Sequence, residues 1–412
     1  MMKVFELCKK AKEQSYILAT LSSDVKNSLL SDIAEELESS TDLILEANAI
    51  DMEKATKMSP VMRDRLLLTP DRIKRMADGV RDLISLPDPV GRVLSEHIQK
   101  DGLNIKRISV PIGVVGVIYE ARPNVTIDVA TLCIKSGNAV VLRGGKDAIN
   151  TNRVLAKVVK SALLSYAEAV QFIDDETRES TAELLKADKW VDVIIPRGGE
   201  KLKEYILSNT KIPVICSAGG VCHTYVEKTA DLDKAKAIVK NAKLQRPSVC
   251  NALETLLVDK EIARDFLPVV LGEMKDEKNI VVHGDKACRE IYPDTVEILS
   301  DEEYHTEYLD YALSVKVVDG VEEAISHINT YSTKHSDAII TEDTQKADLF
   351  VSRVDSADVY VNASTRFTDG YEFGLGAEVA ISTQKLHARG PVGLNELNTY
   401  KTVIIGNGQI RK

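Results

Sequence analysis

The residue whose type and setting point most directly to chemistry is Cys250, in the stretch QRPSVCNALETLLV from Gln245 to Val258. It stands between a proline-containing turn and a strand-like apolar run, a junction at which loops present reactive groups on a rigid frame. Partial exposure and oriented backbone N–H groups there draw a thiol down from about 8.5 and supply thiolate as a nucleophile. The opposing reading is a buried, inert cysteine acting as a small hydrophobe. A second class of chemistry, anion binding, is suggested by two glycine pairs next to cations: Arg143-Gly144-Gly145-Lys146 and Pro196-Arg197-Gly198-Gly199. Each follows a strand-like run and precedes a helical one, where free backbone N–H groups receive phosphate. The chain has no GxGxxG and no Walker motif, so neither standard phosphate geometry is supported. His327 and His335 are eight apart, which is not a metal-ligand spacing, so no metal site is expected. They either shape a loop or touch an anionic ligand.

These residues need elements to hold them. Apolar residues at helical spacing predict helices over residues 3–85, the last opening on Thr69 as N-cap with Pro70 in the first turn and stopping at Leu86-Pro87. A hairpin with an Asp101-Gly102 turn is expected over 97–110. Strands at 114–119, 139–142, 170–173, 191–195 and 214–216 alternate with helices at about 125–136, 147–165, 176–186 and 199–208, the pattern of a doubly wound, mostly parallel sheet. A second alternating region follows, with strands near 253–258, 279–283, 313–318, 337–341 and 357–361, and it contains Cys250. The tail ends in a strand-like TVIIG, to be paired with the early hairpin or with a neighbouring subunit.

Composition narrows the class. The 412 residues are 44% hydrophobic and 28% charged, which suits a folded chain of two or three domains. No apolar run reaches a membrane span. A net charge of −10 argues against nucleic acid as a partner. Six scattered cysteines without a CxxC pair fit neither a disulfide framework nor a zinc site, and suit a reducing cytoplasm.

Several stretches together, VPIGVVGVIYEARPNVT, IKSGNAVVLRGGKDAINTN, VDVIIPRGG, SVCNALETLLV and VDGVEEAISHINTYSTKHSDAI, closely resemble the gamma-glutamyl phosphate reductases of proline biosynthesis, a divergent branch of the aldehyde dehydrogenase superfamily. The resemblance implies an aldehyde dehydrogenase-like α/β fold with two doubly wound parallel-sheet domains and a small β oligomerisation element. The cofactor domain is expected at 1–96 and 111–221, the catalytic domain at 222–389, and the oligomerisation element at 97–110 and 390–412. It further implies NADPH-dependent reduction of L-glutamyl 5-phosphate to L-glutamate 5-semialdehyde in a homo-oligomer, with glutamate 5-kinase as a candidate partner. In that frame Cys250 matches the nucleophile and Asn124 the side-chain amide of the oxyanion hole. Arg143 to Lys146, Pro196 to Gly199 and Glu307 match the cofactor site. Glu120, Arg122 and Arg366 are the candidates for the charged ends of the substrate, each with an ion-pair role as the alternative. In hydrolytic relatives the segment matching Ser217-Ala218-Gly219-Gly220 supplies a glutamate base, whereas here Ala218 brings a methyl group. A hydrolytic NAD(P)-dependent aldehyde dehydrogenase and a catalytically silent nucleotide-binding protein of the same fold are the alternatives.

Overall fold

The structure, a computed structural model, describes residues 2–58, 60–120, 122–216 and 219–411. The chain divides into two compact units: Met1–Cys216 with Gly374–Ala380 and Pro391–Lys412, and Ser217–Phe373 with Ile381–Gly390.

In the first unit the helix Pro70–Ser85 forms as its residues dictate. Thr69 accepts a hydrogen bond from the Arg72 N–H at 3.2 Å, proline fills the first turn, and Ile73, Met76, Ala77, Val80 and Leu83 are buried on one face. The hairpin strands are β1 (Val93–Ile98) and β2 (Asn104–Pro111), joined through Gly102 in a left-handed conformation. The tail strand Asn398–Ile405 pairs antiparallel with β2 along its whole length, from Asn398 opposite Pro111 to Ile405 opposite Asn104. The hairpin therefore begins four residues before the expected 97, and the tail joins it as a three-stranded sheet.

The parallel sheet of this unit contains β3 (Val114–Tyr119), β4 (Ala139–Gly144), β5 (Val170–Phe172) and β6 (Val193–Arg197), in the order β5-β4-β3-β6. Every residue of β3 and β4 is buried, as continuous apolar runs covered by helices require. The strand expected at 214–216 is reduced to one bridge, between Ile194 and Val214. Pro213, which has no N–H to donate, stands immediately before it.

The second unit is built on a seven-stranded parallel sheet. Its strands are β7 (Cys222–Val226), β8 (Leu253–Asp259), β9 (Val281–Gly284), β10 (Val296–Glu297), β11 (Ala312–Val318), β12 (Ser336–Ile340) and β13 (Asp358–Val361). Their order is β10-β9-β11-β8-β7-β12-β13. β8 is buried on both faces: Leu256 and Val258 pack with Phe266, Leu267 and Val270, while Leu257 packs with Ile325, Ile328 and Phe350. Cys250 precedes β8, so it lies at the amino ends of these strands, not at the carboxyl ends where open α/β sheets usually place ligands.

Candidate active site

The helix Leu232–Leu244, opened by Asp231 accepting from the N–H groups of Asp233 and Lys234, delivers the chain to a turn at residues 245–252 that then enters β8. Cys250 sits in that turn. Among the six cysteines it alone is half-exposed. Burial pushes the thiols of Cys8 and Cys288 up to about 12, and those of Cys133, Cys216 and Cys222 also upward. Burial thus works against thiolate at the other five, whereas Cys250 is partly open to solvent.

The surroundings of Cys250 are tight on its backbone side. A Cβ on Gly220 would lie 1.4 Å from the Cys250 carbonyl oxygen and 2.9 Å from its Cα, so only glycine permits this approach. The Cys222 thiol donates to the same oxygen at 3.2 Å. Glu307 accepts from the Gly220 N–H at 2.7 Å, and its other oxygen lies 2.5 Å from where a Cβ on Gly219 would stand. On the other flank, Arg366 donates to Gln245 Oε1 at 3.0 Å and to the side-chain oxygen of Asn251, the neighbour of Cys250. Thr365 donates to the Asn251 carbonyl at 2.8 Å. Burial, and next the repulsion of Arg246, draw the Arg366 guanidinium down from its ordinary range, with Asp369 and Cys250 acting in the opposite sense. A guanidinium hydrogen-bonded to the residue next to the thiol suits an anionic substrate.

The two histidines of the HINTYSTKHSDAI stretch are buried. His327 packs edge-on to Tyr304 with ring centres 4.7 Å apart and lies 4.5 Å from the Tyr331 ring, and burial drives it down to about 2. His335 contacts Ser336 Oγ at 2.8 Å, and Ser336, Thr368 and Tyr360 continue a chain of hydroxyl contacts at 2.7 and 2.6 Å. Among the described residues no group of three or more His, Cys, Asp or Glu side chains is arranged to hold a metal.

In the first unit Asn124 opens the helix Val125–Lys135, and its amide donates to Asp128 Oδ2 at 2.8 Å. A carboxylate can only accept, so it sets the amide with its nitrogen inward and leaves one N–H to give elsewhere. Burial raises the Asp128 carboxyl to about 6, against the Asn124 hydrogen bond and the charge of Arg197. Arg122 is half-buried. Glu120, expected with Arg122 at the substrate, instead accepts from the Gly199 N–H at 3.1 Å and lies 2.6 Å from where a Cβ on Gly198 would stand. The physical cause is the positive amino end of the helix Glu200–Asn209, which has no side-chain cap and attracts a carboxylate.

Arg143, expected to meet the cofactor, donates to the carbonyls of Gly144, Glu176 and Thr177 at 2.8, 3.3 and 2.9 Å and braces the segment after β5. Lys146 is exposed beside it, on a cavity of about 150 Å³ lined also by Asp51, Lys54, Ala55, Met58, Asp147 and Glu176. Pro196 is buried in β6, while Gly198 and Gly199 are exposed, with nothing within 4 Å of a Cβ on Gly199. The helix amino end at Gly199 is already met by a carboxylate, and the cavity beside Lys146 carries three acidic residues, Asp51, Asp147 and Glu176, with Lys54 and Lys146. The structure thus gathers Cys250, Glu307 and Arg366 in one unit, and Glu120, Gly198 and Gly199 in the other. Ser217 and Ala218 lie outside the described residues.

Residues 2–284 match the aldehyde dehydrogenase family. The chain is 50% identical to a gamma-glutamyl phosphate reductase of Syntrophomonas wolfei over 99% of its own length and 98% of that protein's. It is 51% identical to that of an Escherichia coli strain, with 97% and 98% covered. The crystal structure of the gamma-glutamyl phosphate reductase of Thermotoga maritima superposes with a TM-score of 0.96 at 45% identity, covering 99% of this chain and 100% of that one. The chain belongs to the gamma-glutamyl phosphate reductases. Membership of this family places it within the aldehyde dehydrogenase fold, whose cofactor class is a nicotinamide dinucleotide. No described helix is long and apolar enough to cross a membrane.

Sequence reasoning had missed several neighbours of the reductase residues. Gly220, Asn251, Thr365 and Thr368 surround Cys250, and Asp128 holds Asn124. Gly219-Gly220 before an apolar strand was the one available signal, since paired glycines at a strand entry mark close backbone approach.

Proposed function

We propose that this chain reduces L-glutamyl 5-phosphate to L-glutamate 5-semialdehyde with NADPH and releases phosphate. The observation that carries the reading is a single reachable thiol, Cys250, in a chain about half identical to reductases of that name along its whole length. Cys250 thiolate attacks the acyl carbon, the bond from that carbon to the phosphate oxygen breaks, and phosphate leaves with the electron pair. The product on the protein is a neutral thioester, a better hydride acceptor than the anionic acyl phosphate. Asn124 donates an amide N–H to the oxyanion of this step, a contribution of about 10²–10³ in rate. Arg366, with Arg122, pairs with the carboxylate or phosphate of the substrate. The dinucleotide, when bound, supplies the hydride; Gly198, Gly199, Lys146 and Glu307 are its ligands in this reading. Cys250 then departs as thiolate when the aldehyde forms.

The preference for NADPH rests on the family resemblance. A homo-oligomer is supported by the sheet of β1, β2 and the tail strand, whose two edge strands expose Ile98 at 71% and Ile404 at 60%. Unpaired edges with apolar side chains invite a second copy. Six cysteines free of disulfides suit the cytoplasm. The lability of an acyl phosphate favours a glutamate 5-kinase as neighbour.

The test is the oxidative direction: glutamate semialdehyde with NADP, with and without phosphate. With no base at the Ala218 segment, NADPH formation is expected to require phosphate, and arsenate to replace it. Equal rates without phosphate, with free glutamate as product, would make the protein a hydrolytic dehydrogenase. Such a base would add roughly 10²–10⁴-fold to water attack.

A further inference from the structure

Beneath the turn that holds Cys250 lies a buried ion pair. Lys243, in the last turn of the helix Leu232–Leu244, meets Glu254, the second residue of β8, at 2.8 Å, and both side chains are 0% exposed. The pair closes the base of residues 245–252. The second oxygen of Glu254 accepts from the Leu309 N–H at 3.3 Å, and the carboxylate also takes the Tyr308 N–H. Leu309 has φ +55°, a left-handed conformation costly for a branched side chain. That turn directly follows Glu307, whose carboxylate holds the Gly220 N–H against the Cys250 carbonyl. The contacts therefore run from Lys243 through Glu254, residues 308–309, Glu307 and Gly220, and return to Cys250. Burying two charges is costly, and an apolar pair of similar volume usually joins a helix to a strand as well or better. What an apolar pair cannot do is accept the N–H groups of a strained turn. Burial raises Glu254 to about 7 against the pull of Lys243, and lowers Lys243.

Resting on the function proposed above, we infer that Lys243 and Glu254 are positioning residues for the reaction: their pair sets the turn of Cys250 and the turn of Glu307 in one register. Neither side chain touches the substrate. The experiment is the double variant Lys243→Met/Glu254→Leu, which keeps the volume and removes the acceptor. Its melting temperature is expected to fall by only a few degrees, the effect of leaving the N–H groups of the turn unmet, while kcat falls about 10²-fold, as a displacement near 1 Å at a reacting group produces. Iodoacetamide should also label Cys250 several-fold more slowly. The neutral pair Lys243→Gln/Glu254→Gln, which retains an acceptor for residues 308–309, should recover most of the loss. A stable apolar pair with wild-type kcat and labelling rate overturns the inference. Should that variant fail to fold, Lys243→Met/Glu254→Ala, which also removes the acceptor but cannot overpack the site, decides: lower kcat with slower labelling supports the role, and wild-type values of both remove it. The labelling rate needs no substrate, so a wild-type protein inactive on the acyl phosphate would refute the proposed function and leave this comparison standing.

Discussion

Gly220→Ala isolates the contact on which the Cys250 turn rests. The added carbon would stand 1.4 Å from the Cys250 carbonyl oxygen, whereas ordinary contact begins at 3.4 Å, so the two segments must separate by about 2 Å. The obstacle is backbone, not the far end of a flexible side chain. Separation also disturbs the 2.7 Å hydrogen bond from Gly220 to Glu307. Overpacking of this kind costs about 1–3 kcal/mol in stability, and a 1 Å displacement of a reacting group costs about 10²-fold in rate. We expect kcat to fall at least 10²-fold, the melting temperature to drop by only a few degrees, and dinucleotide binding to weaken only several-fold, through the loosened Glu307 carboxylate. Gly272→Ala, in the helix Ala263–Lys278 and outside the proposed site, is the control, because nothing lies within 4 Å of its new carbon. Stopped-flow NADPH oxidation, fluorescence titration and thermal melts give the three readouts. A Gly220→Ala protein with wild-type kcat would show that the close approach does not position the thiol.

Cys250→Ala should leave dinucleotide affinity within a few-fold and activity below about 1% of wild type, since no other thiol is reachable; higher residual turnover would remove the nucleophile assignment. Asn124→Ala should lower kcat about 10²-fold through loss of one oxyanion donor, whereas a change confined to KM would point to ground-state binding. His327 gives the protein an acid liability. Its folded pKa of about 2 lies below the unfolded value near 6.5, so above pH 6.5 both states are neutral and nothing is lost. Below that the unfolded chain takes a proton the folded one refuses, at about 1.4 kcal/mol per pH unit, or about 2 kcal/mol by pH 5. His327→Leu should flatten the fall in melting temperature between pH 7 and 5, and an unchanged slope would assign it elsewhere. Ending the chain at Asn398 removes the tail strand and should lower the mass seen by light scattering; an unchanged mass would place the subunit contact on another surface.

Local patterns told most where one segment decides its own state. Thr69-Pro70 announced a helix start because the cap and the first-turn proline act within four residues, and the apolar runs of β3 and β4 announced buried parallel strands. The bridge at Val214 escaped because Pro213 limits pairing only once a partner strand is in place. Arg143 was read as a cofactor-site cation from its place at a strand exit, yet its partners include carbonyls more than thirty residues away, which no spacing reports. His327 and His335 could not be told apart by their separation; one packs among aromatic rings and the other joins hydroxyls near Cys222. That Cys250 stands partly exposed between a helix and a strand was legible from the residues around it. Gly220 as its support was not, because that contact joins segments thirty residues apart.

The tail strand has a consequence for how the protein is made. β2 leaves the ribosome about 290 residues before its partner Asn398–Ile405 exists. At about 5–20 residues per second, its outer edge waits roughly 15–60 s. Asn138, whose side chain donates to the Leu397 carbonyl at 2.8 Å, waits as long. The seven-stranded sheet, contained within residues 222–361, is complete before then. The unit that starts first is thus the last to close. On a crowded polysome the open edge of β2 is available to the tail of a neighbouring nascent chain, which makes strand exchange between copies the characteristic error of its synthesis.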